Sequence, residues 1–426
     1  MKIHIENIGC FKNLVDSERL LYAVEKAGLE ASFGVFTQNA DIAIINTCGF
    51  IGDAEEDSSA LIAQYTEHKK EGRIAQLWVM GCYGQKYGDS LKEKFPEIDR
   101  VFGNFDWHNI LEILEHEYNI GVHRHITTPA HYAYLKIAEG CNRTCAYCIK
   151  PILNGRHTSI SMESLVEETK WLVSQGVKEI QVVSQNLTDY GIDLYGKQEI
   201  AELISRISDV PGVEWIRLHY ANPTGFPREL LKVMHERENV CKYLDMALQH
   251  CNSKLLRQMR RNISKQQLID LLNDIRDSVP GISIRTTMMV GFPGETAEMF
   301  DELCEFVRTQ AFERMGVFRY SPQQGAYSER YYKDDVPEEE EKTRRALLLM
   351  DIQKDRYDAL NRAMIGQTQR VIVDEFNNGS YFCRTEHSTP MADPKIIVDT
   401  NMSVPIGSFQ QVVVTKSLGK DAKAIM

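Results

Sequence analysis

The sequence has no apolar run approaching the length of a membrane span, and its opening residues, MKIHIENIGC, lack the continuous apolar core of a signal peptide. These two absences lead to the expectation of a cytoplasmic protein with no membrane partner. Positive charge is not in excess either: 49 Lys and Arg face 60 Asp and Glu, a formal net charge of −11. No global positive field therefore draws the chain to nucleic acid. Ten cysteines without a secretory signal do not form the pattern of a secreted disulfide framework, and reduced, metal-binding thiols fit better. What is present is 426 residues, 43% of them hydrophobic, enough for two or three domains with buried cores.

The rest is organised around Tyr134–Pro151, YLKIAEGCNRTCAYCIKP, where Cys141, Cys145 and Cys148 stand as Cys-x-x-x-Cys-x-x-Cys. Three thiolates so close can face one iron–sulfur cube, and with no fourth cysteine nearby one iron would lack a protein ligand. A zinc site drawing on Cys145, Cys148 and His157 is the competing reading, although a closed structural site needs four ligands. The spacing, with Tyr147 just before the last cysteine, resembles the radical S-adenosylmethionine (SAM) enzymes. That resemblance implies an open iron that chelates SAM, an aromatic near its adenine, and reductive cleavage to a 5′-deoxyadenosyl radical.

Residues 1–125 alternate short apolar runs (KIHI, Asp41–Thr47, Gln76–Gly81) with helical patterns (Ser17–Ala27, Glu55–Lys69), which predicts a small parallel α/β domain. A cysteine comes soon after each run: Cys10, Cys48 and Cys82. Parallel sheets gather functional groups at the carboxyl ends of their strands, so these thiols are expected to converge as a second three-cysteine site. The alternative is that small apolar cysteines simply fill core positions there.

Residues 126–335 hold six apolar runs, beginning at Tyr134, Ile180, Trp215, Tyr243, Ile282 and Met315, separated by helical stretches. Six strand-then-helix repeats predict a partial (β/α)6 barrel whose site forms on loops after the strands, where the cysteine loop stands. Gln185 and Gln249 lie at strand ends and suit hydrogen bonds to a polar cofactor. Gly291, in MVGFPGET, permits close backbone approach to a ligand. His219 and His250 are expected to be structural, and Cys241, Cys251, Cys304 and Cys383 to be packing residues. Residues 336–365 predict a connecting helix with an acidic start, and residues 366–426 a small antiparallel β-barrel.

This order of parts resembles the methylthiotransferase family of radical SAM enzymes over essentially the whole chain, with a terminal barrel that looks like a TRAM domain. GCFKNLVDSE (Gly9–Glu18), AEGCNRTCAYCIKP, YLDMALQHC, IRTTMMVGFPGET and MGVFRYSPQQG resemble the branch that modifies a ribosomal protein. The resemblance implies that Cys10, Cys48 and Cys82 hold an auxiliary 4Fe-4S cluster and that Cys141, Cys145 and Cys148 hold the 4Fe-4S cluster that binds SAM. It places Tyr147, Gln185, Gln249 and Gly291 in the vicinity of SAM. The implied substrate is an aspartate of small-subunit ribosomal protein twelve, free or in the ribosome, converted to its 3-methylthio form. A sulfur donor and an electron donor such as flavodoxin or ferredoxin are implied as partners. Two alternatives stand beside it: the branch that modifies an adenosine of transfer RNA, and a metal-binding module on ribosomes without catalysis. Asn154 before Gly155, and Ile160 where the family carries a basic residue, depart from the family pattern. The neutral count in 366–426, six Lys or Arg against six Asp or Glu, disfavours a barrel that grips tRNA.

Overall fold

Alternation along the first strands explains the first sheet. In β1 (Lys2–Asn7), β3 (Ala40–Thr47) and β4 (Ile74–Gly81), Ile3, Ile5, Ile42, Ile44, Trp78 and Met80 point to one face. That face packs on Leu20, Leu21 and Val24 of the helix Phe11–Lys26 and on Ile110 and Leu111 of the helix Trp107–Ile113. Ala43, Ile45, Leu77 and Val79 point the other way, onto Ile62 and Tyr65 of the helix Gly52–Lys70. A sheet apolar on both faces must be covered on both, which requires crossover helices and hence parallel strands. With β2 (Glu30–Phe33) and β5 (Ile98–Val101) the order is β2-β1-β3-β4-β5, all pairs parallel.

The computed structural model describes residues 1–49, 52–104, 106–114, 120–332, 335–390 and 392–426. The chain divides into two compact units: Met1–Thr127, Tyr134–Arg143 and Cys148–Trp171 form the first, and Thr128–Ala133, Thr144–Tyr147 and Leu172–Met426 the second.

A six-stranded open sheet follows: β6 (Tyr132–Lys136), β7 (Glu179–Val183), β8 (Trp215–Ala221), β9 (Val240–Gln249), β10 (Ser283–Val290) and β11 (Arg314–Arg319). Neighbours in the sheet follow chain order, and β7 to β11 pair parallel. The expected helices between them form at Met162–Ser174, Ile200–Ser208, Lys265–Ser278 and Ala297–Gln310. An open array of parallel strands and helices in this order is the partial barrel that the repeat count predicted. The long helix runs Glu339–Ala363, with Glu339, Glu340 and Glu341 in its first turn. Five strands then close a barrel around Val371, Val373, Val398, Val412 and Val414. Its pairing is antiparallel except between Ile396–Asp399 and Asp421–Ile425, which run parallel. Among the described residues no helix is long and apolar enough to cross a membrane.

The barrel is tied to the central sheet through charge. Glu179 on β7 takes Arg217 Nε at 2.8 Å and Arg384 Nη2 at 2.6 Å, and all three side chains are fully buried. Arg384 also meets Asp374 at 2.6 Å, and Asp374 accepts from His131 Nε2 at 2.9 Å.

Candidate active site

In the first unit, three adjacent strands deliver three cysteines. Cys48 directly follows β3, Cys82 directly follows β4, and Cys10, three residues past β1, caps the helix Phe11–Lys26. The Cys82 thiol is pushed up to about 11, first by burial and then by the nearby thiols of Cys10 and Cys48, with Lys12 and Lys150 working in the opposite sense. The three thiols thus share one neighbourhood at the carboxyl edge of the sheet. An asparagine pair holds the loops together: Asn13 Nδ2 donates to Asn46 Oδ1 at 2.9 Å, and Asn46 Nδ2 donates to the Asn13 carbonyl at 2.9 Å and to Ser17 Oγ at 2.9 Å. Cys10 Sγ donates to Asn13 Oδ1 at 3.2 Å. The Cys48 backbone is clamped by Ser58, whose Oγ accepts its N–H at 3.1 Å and donates to its carbonyl at 2.8 Å.

Gly81, just before Cys82, has φ +94°, and a Cβ there would lie 2.4 Å from Asn46 Oδ1 and 2.6 Å from the Thr47 carbonyl oxygen. Only glycine allows this approach of β4's end to β3's end. Gly81→Ala is expected to lower stability by about 1–3 kcal/mol from backbone strain alone, which thermal denaturation measures.

The cysteine loop is built from both units. In the first, Cys141 Sγ accepts from the Arg143 N–H and Cys148 Sγ from the Lys150 N–H, each at 3.4 Å. Gly140, at φ +66°, lets the chain pass the Arg156 carbonyl, which a Cβ would meet at 2.0 Å. The helix Lys150–Asn154 lies against the helix Cys82–Tyr87, so the end of this loop and the early triad are neighbours within one unit. His157 Nε2 shares a hydrogen bond with Ser159 Oγ at 3.2 Å. In the second unit, Cys145 Sγ accepts from Arg261 Nη1 at 3.7 Å. Arg261 is buried, yet its guanidinium is held above its ordinary value: burial works against the charge and is outweighed by Tyr147 and Cys145. Tyr147 stands edge-on to Phe292, their ring centroids 6.5 Å apart.

After β7, the buried atoms Ser184 Oγ, Gln185 Oε1 and Asn186 Nδ2 have no hydrogen-bond partner among the described residues, nor has Arg261 Nε. Native interiors rarely leave such groups unmatched, and a polar ligand at these strand ends would satisfy them. Gln249 ends β9 at φ +74°, a costly conformation for a non-glycine residue. Gly291 is enclosed by protein: its N–H donates to Glu295, and a Cβ would meet Lys342 Cγ at 2.2 Å.

His219 is buried and driven down to about 3 by burial, and its Nε2 lies 2.6 Å from Gln181 Oε1. His250 Nδ1 accepts the Asn252 N–H at 3.0 Å, and its Nε2 lies 3.4 Å from Glu295. Both are interior histidines. Cys241, Cys251, Cys304 and Cys383 are buried, and burial pushes each thiol up.

Among the described residues, no three His, Cys, Asp or Glu are placed to hold a single metal ion. A cubane differs in that it takes its thiolates on different irons and spaces them further apart, so three-thiol groups short of one ligand suit it better than they suit zinc.

Sequence reasoning missed a set of ion pairs in the first unit. Lys136 pairs with Asp16 and with Glu139. Arg124 meets Glu18 at 2.6 Å and Glu168 at 3.2 Å, and Glu168 also takes Arg19 at 3.1 Å. All belong to the first unit, and the only sign of them in the sequence was Asp16 and Glu18 in the dense polar run KNLVDSE.

Comparison with known proteins agrees with this geometry. Residues 135–307 match the radical SAM superfamily, residues 2–103 the uncharacterized protein family UPF0004, and residues 365–425 the TRAM domain. A ribosomal protein uS12 methylthiotransferase RimO of Bacteroides thetaiotaomicron is 49% identical over 97% of this chain and 95% of that protein. The RimO of Cytophaga hutchinsonii is 43% identical over 96% and 94%. Among solved structures, the radical SAM methyltransferase TsrM of Kitasatospora setae superposes with a TM-score of 0.56 at 14% identity, covering 74% of this chain and 72% of that one. The cobalamin-dependent radical SAM enzyme OxsB gives 0.53 at 12% identity over 82% and 56%. At those identities the structural likeness is one of fold. Relatives similar from end to end, together with matches to each part in turn, place the chain in the RimO family of radical SAM methylthiotransferases.

Proposed function

We propose that the chain adds a methylthio group to the β-carbon of an aspartate in ribosomal protein uS12, consuming SAM and holding two 4Fe-4S clusters. The observation that carries this reading is the convergence of Cys10, Cys48 and Cys82 beside Lys150, two residues past Cys148. A single cluster would need only one of the two cysteine sets. Cys141, Cys145 and Cys148 would hold one cluster and Cys10, Cys48 and Cys82 the other, each leaving one iron without a protein ligand. When bound, the first supplies the electron that cleaves SAM and the second the sulfur of the methylthio group.

The chain's own residues orient and balance charge. Arg261 sets a cation beside Cys145, offsetting the negative charge of thiolate ligands. Ser184, Gln185 and Asn186 offer unmatched polar atoms to SAM, while Gln249 ends β9 and Tyr147 stands against Phe292, just past β10. Gly291, its amide committed to Glu295, shapes the wall rather than donating to a ligand. Within the first unit, Cys148 and the early triad are brought close by the neighbouring helices Lys150–Asn154 and Cys82–Tyr87, and this serves proximity, since the substrate carbon must meet a radical and a sulfur in turn. A reducing partner such as flavodoxin or ferredoxin and a sulfur donor complete the requirement, in the cytoplasm where ribosomes are.

The terminal barrel favours a protein substrate over tRNA. Of its six cations, Arg384 is buried on Glu179 and Asp374, Arg370 meets Glu214 at 2.7 Å, Lys423 meets Asp399 at 2.5 Å and Lys395 lies 3.9 Å from Glu375. Lys416 and Lys420 are left, too few to neutralise a row of phosphates. Reconstituted enzyme incubated separately with uS12 and with tRNA is expected to add the methylthio mass to the protein alone. Modification of tRNA instead would reverse the assignment.

A further inference from the structure

The first turn of the helix Phe11–Lys26 carries a lysine whose chemistry the fold leaves unspent. Lys12, two positions past Cys10, is 3% exposed. An ammonium has three donors, and buried donors are normally matched. Neighbouring Lys136 conforms, meeting Asp16 and Glu139 at close range. Lys12 is held more loosely, its Nζ paired with Glu139 Oε2 at 3.8 Å, beyond hydrogen-bond distance. Its charge nonetheless acts on the Cys82 thiol, so the ammonium lies near the triad. The helix has no acidic side chain in its first turn, leaving the positive end of its dipole uncompensated there. Cys10 itself is exposed. A buried, loosely paired cation and a helix amino end, beside an open thiol, make a receptor for an anion.

We propose that Lys12 binds the side-chain carboxylate of the substrate aspartate and so holds its β-carbon beside Cys10, Cys48 and Cys82. The inference rests on the aspartate reading above. The β-carbon is bonded directly to that carboxylate, so fixing one places the other. Asparagine, the same shape without the charge, would leave the ammonium with only the distant Glu139 carboxylate.

The test uses uS12 peptides with Asp or Asn at the modified position, titrated against the reconstituted enzyme by fluorescence anisotropy. The unaltered enzyme is expected to prefer the Asp peptide roughly tenfold or more, the range of a hydrogen bond to a charged group. Lys12→Met is expected to bind both peptides alike with its iron and sulfide content unchanged, and Lys12→Arg to keep part of the preference. Lys12→Gln replaces the Met variant should that one fail to fold. An Asp preference that survives loss of the lysine overturns the proposal, and so does loss of iron, which would assign Lys12 to holding the cluster. Failure of the unaltered enzyme to modify uS12 is read separately, by product mass, and counts against the proposed function rather than against Lys12.

Discussion

Cys48→Ala is expected to abolish methylthiolation of uS12 while 5′-deoxyadenosine is still formed from SAM, whereas Cys145→Ala is expected to abolish both. The contrast follows from the separate tasks proposed above for the two cysteine sets. Cys48 is a clean place to cut because its backbone is held by Ser58 through both N–H and carbonyl, independently of the thiol. Its neighbours Thr47 and Asn46 are anchored elsewhere, Thr47 Oγ1 on the Met80 carbonyl at 2.6 Å and Asn46 on Asn13 and Ser17. Removing one sulfur therefore leaves the loop in place and subtracts a ligand, so lost activity reports chemistry rather than unfolding. Anaerobic reconstitution followed by iron and sulfide analysis should show about half the cluster content in either variant, since each keeps one intact triad. Full turnover by Cys48→Ala would refute the two-cluster assignment.

How much of this was readable in the sequence depended on periodicity and on sulfur. The strands at Asp41–Thr47 and Gln76–Gly81 were legible because both of their faces are apolar, and the helices Ile200–Ser208 and Lys265–Ser278 because apolar residues recur at helical spacing. The cysteines were legible because their spacing, or their place after a strand, is rare by chance. The short strands Glu30–Phe33 and Ile98–Val101 were not, since edge strands carry polar residues and little pattern. The first helix shows the deeper reason. Its pattern was legible only from Ser17, yet it begins at Phe11, and Lys12, Asn13, Asp16, Ser17 and Glu18 are all buried. A polar turn that would ordinarily face water lies inside here, matched by polar partners such as Asn46 and Arg124, and hydrophobic periodicity is blind to it. The charges of Lys136, Arg124 and Glu168 were hidden because each is interpretable only once a partner distant in sequence, Asp16, Glu18 or Arg19, is in place.

Glu179→Gln is expected to destabilise the second unit by about 3–5 kcal/mol, the cost of breaking a buried ion pair from one side. Burial alone would raise the Glu179 carboxyl, but Arg384 and Arg217 outweigh it and hold the carboxyl below its ordinary value of 4.5. Removing its charge strands two arginines in the interior, where Arg217 already has one nitrogen, Nη2, without a hydrogen bond. Asp374 remains for Arg384 and is itself held below its ordinary value, burial opposing and His131 and Arg384 prevailing. Nothing comparable remains for Arg217. The pH dependence has a definite sign. A carboxyl whose folded-state pKa is depressed contributes stability that is complete above its unfolded value and disappears as pH falls through its folded one. The gap between the unaltered chain and Glu179→Gln should therefore be full at pH 7, begin to close below about pH 4.5 and narrow further on acidification. Hydrogen exchange of β7 and of the barrel strand Ser380–Arg384 at pH 7, with denaturant melts at several lower pH values, measures both effects. A pH-independent gap, or one under about 1 kcal/mol as for a solvent-exposed pair, would mean that Glu179 does not join the barrel to the sheet by charge.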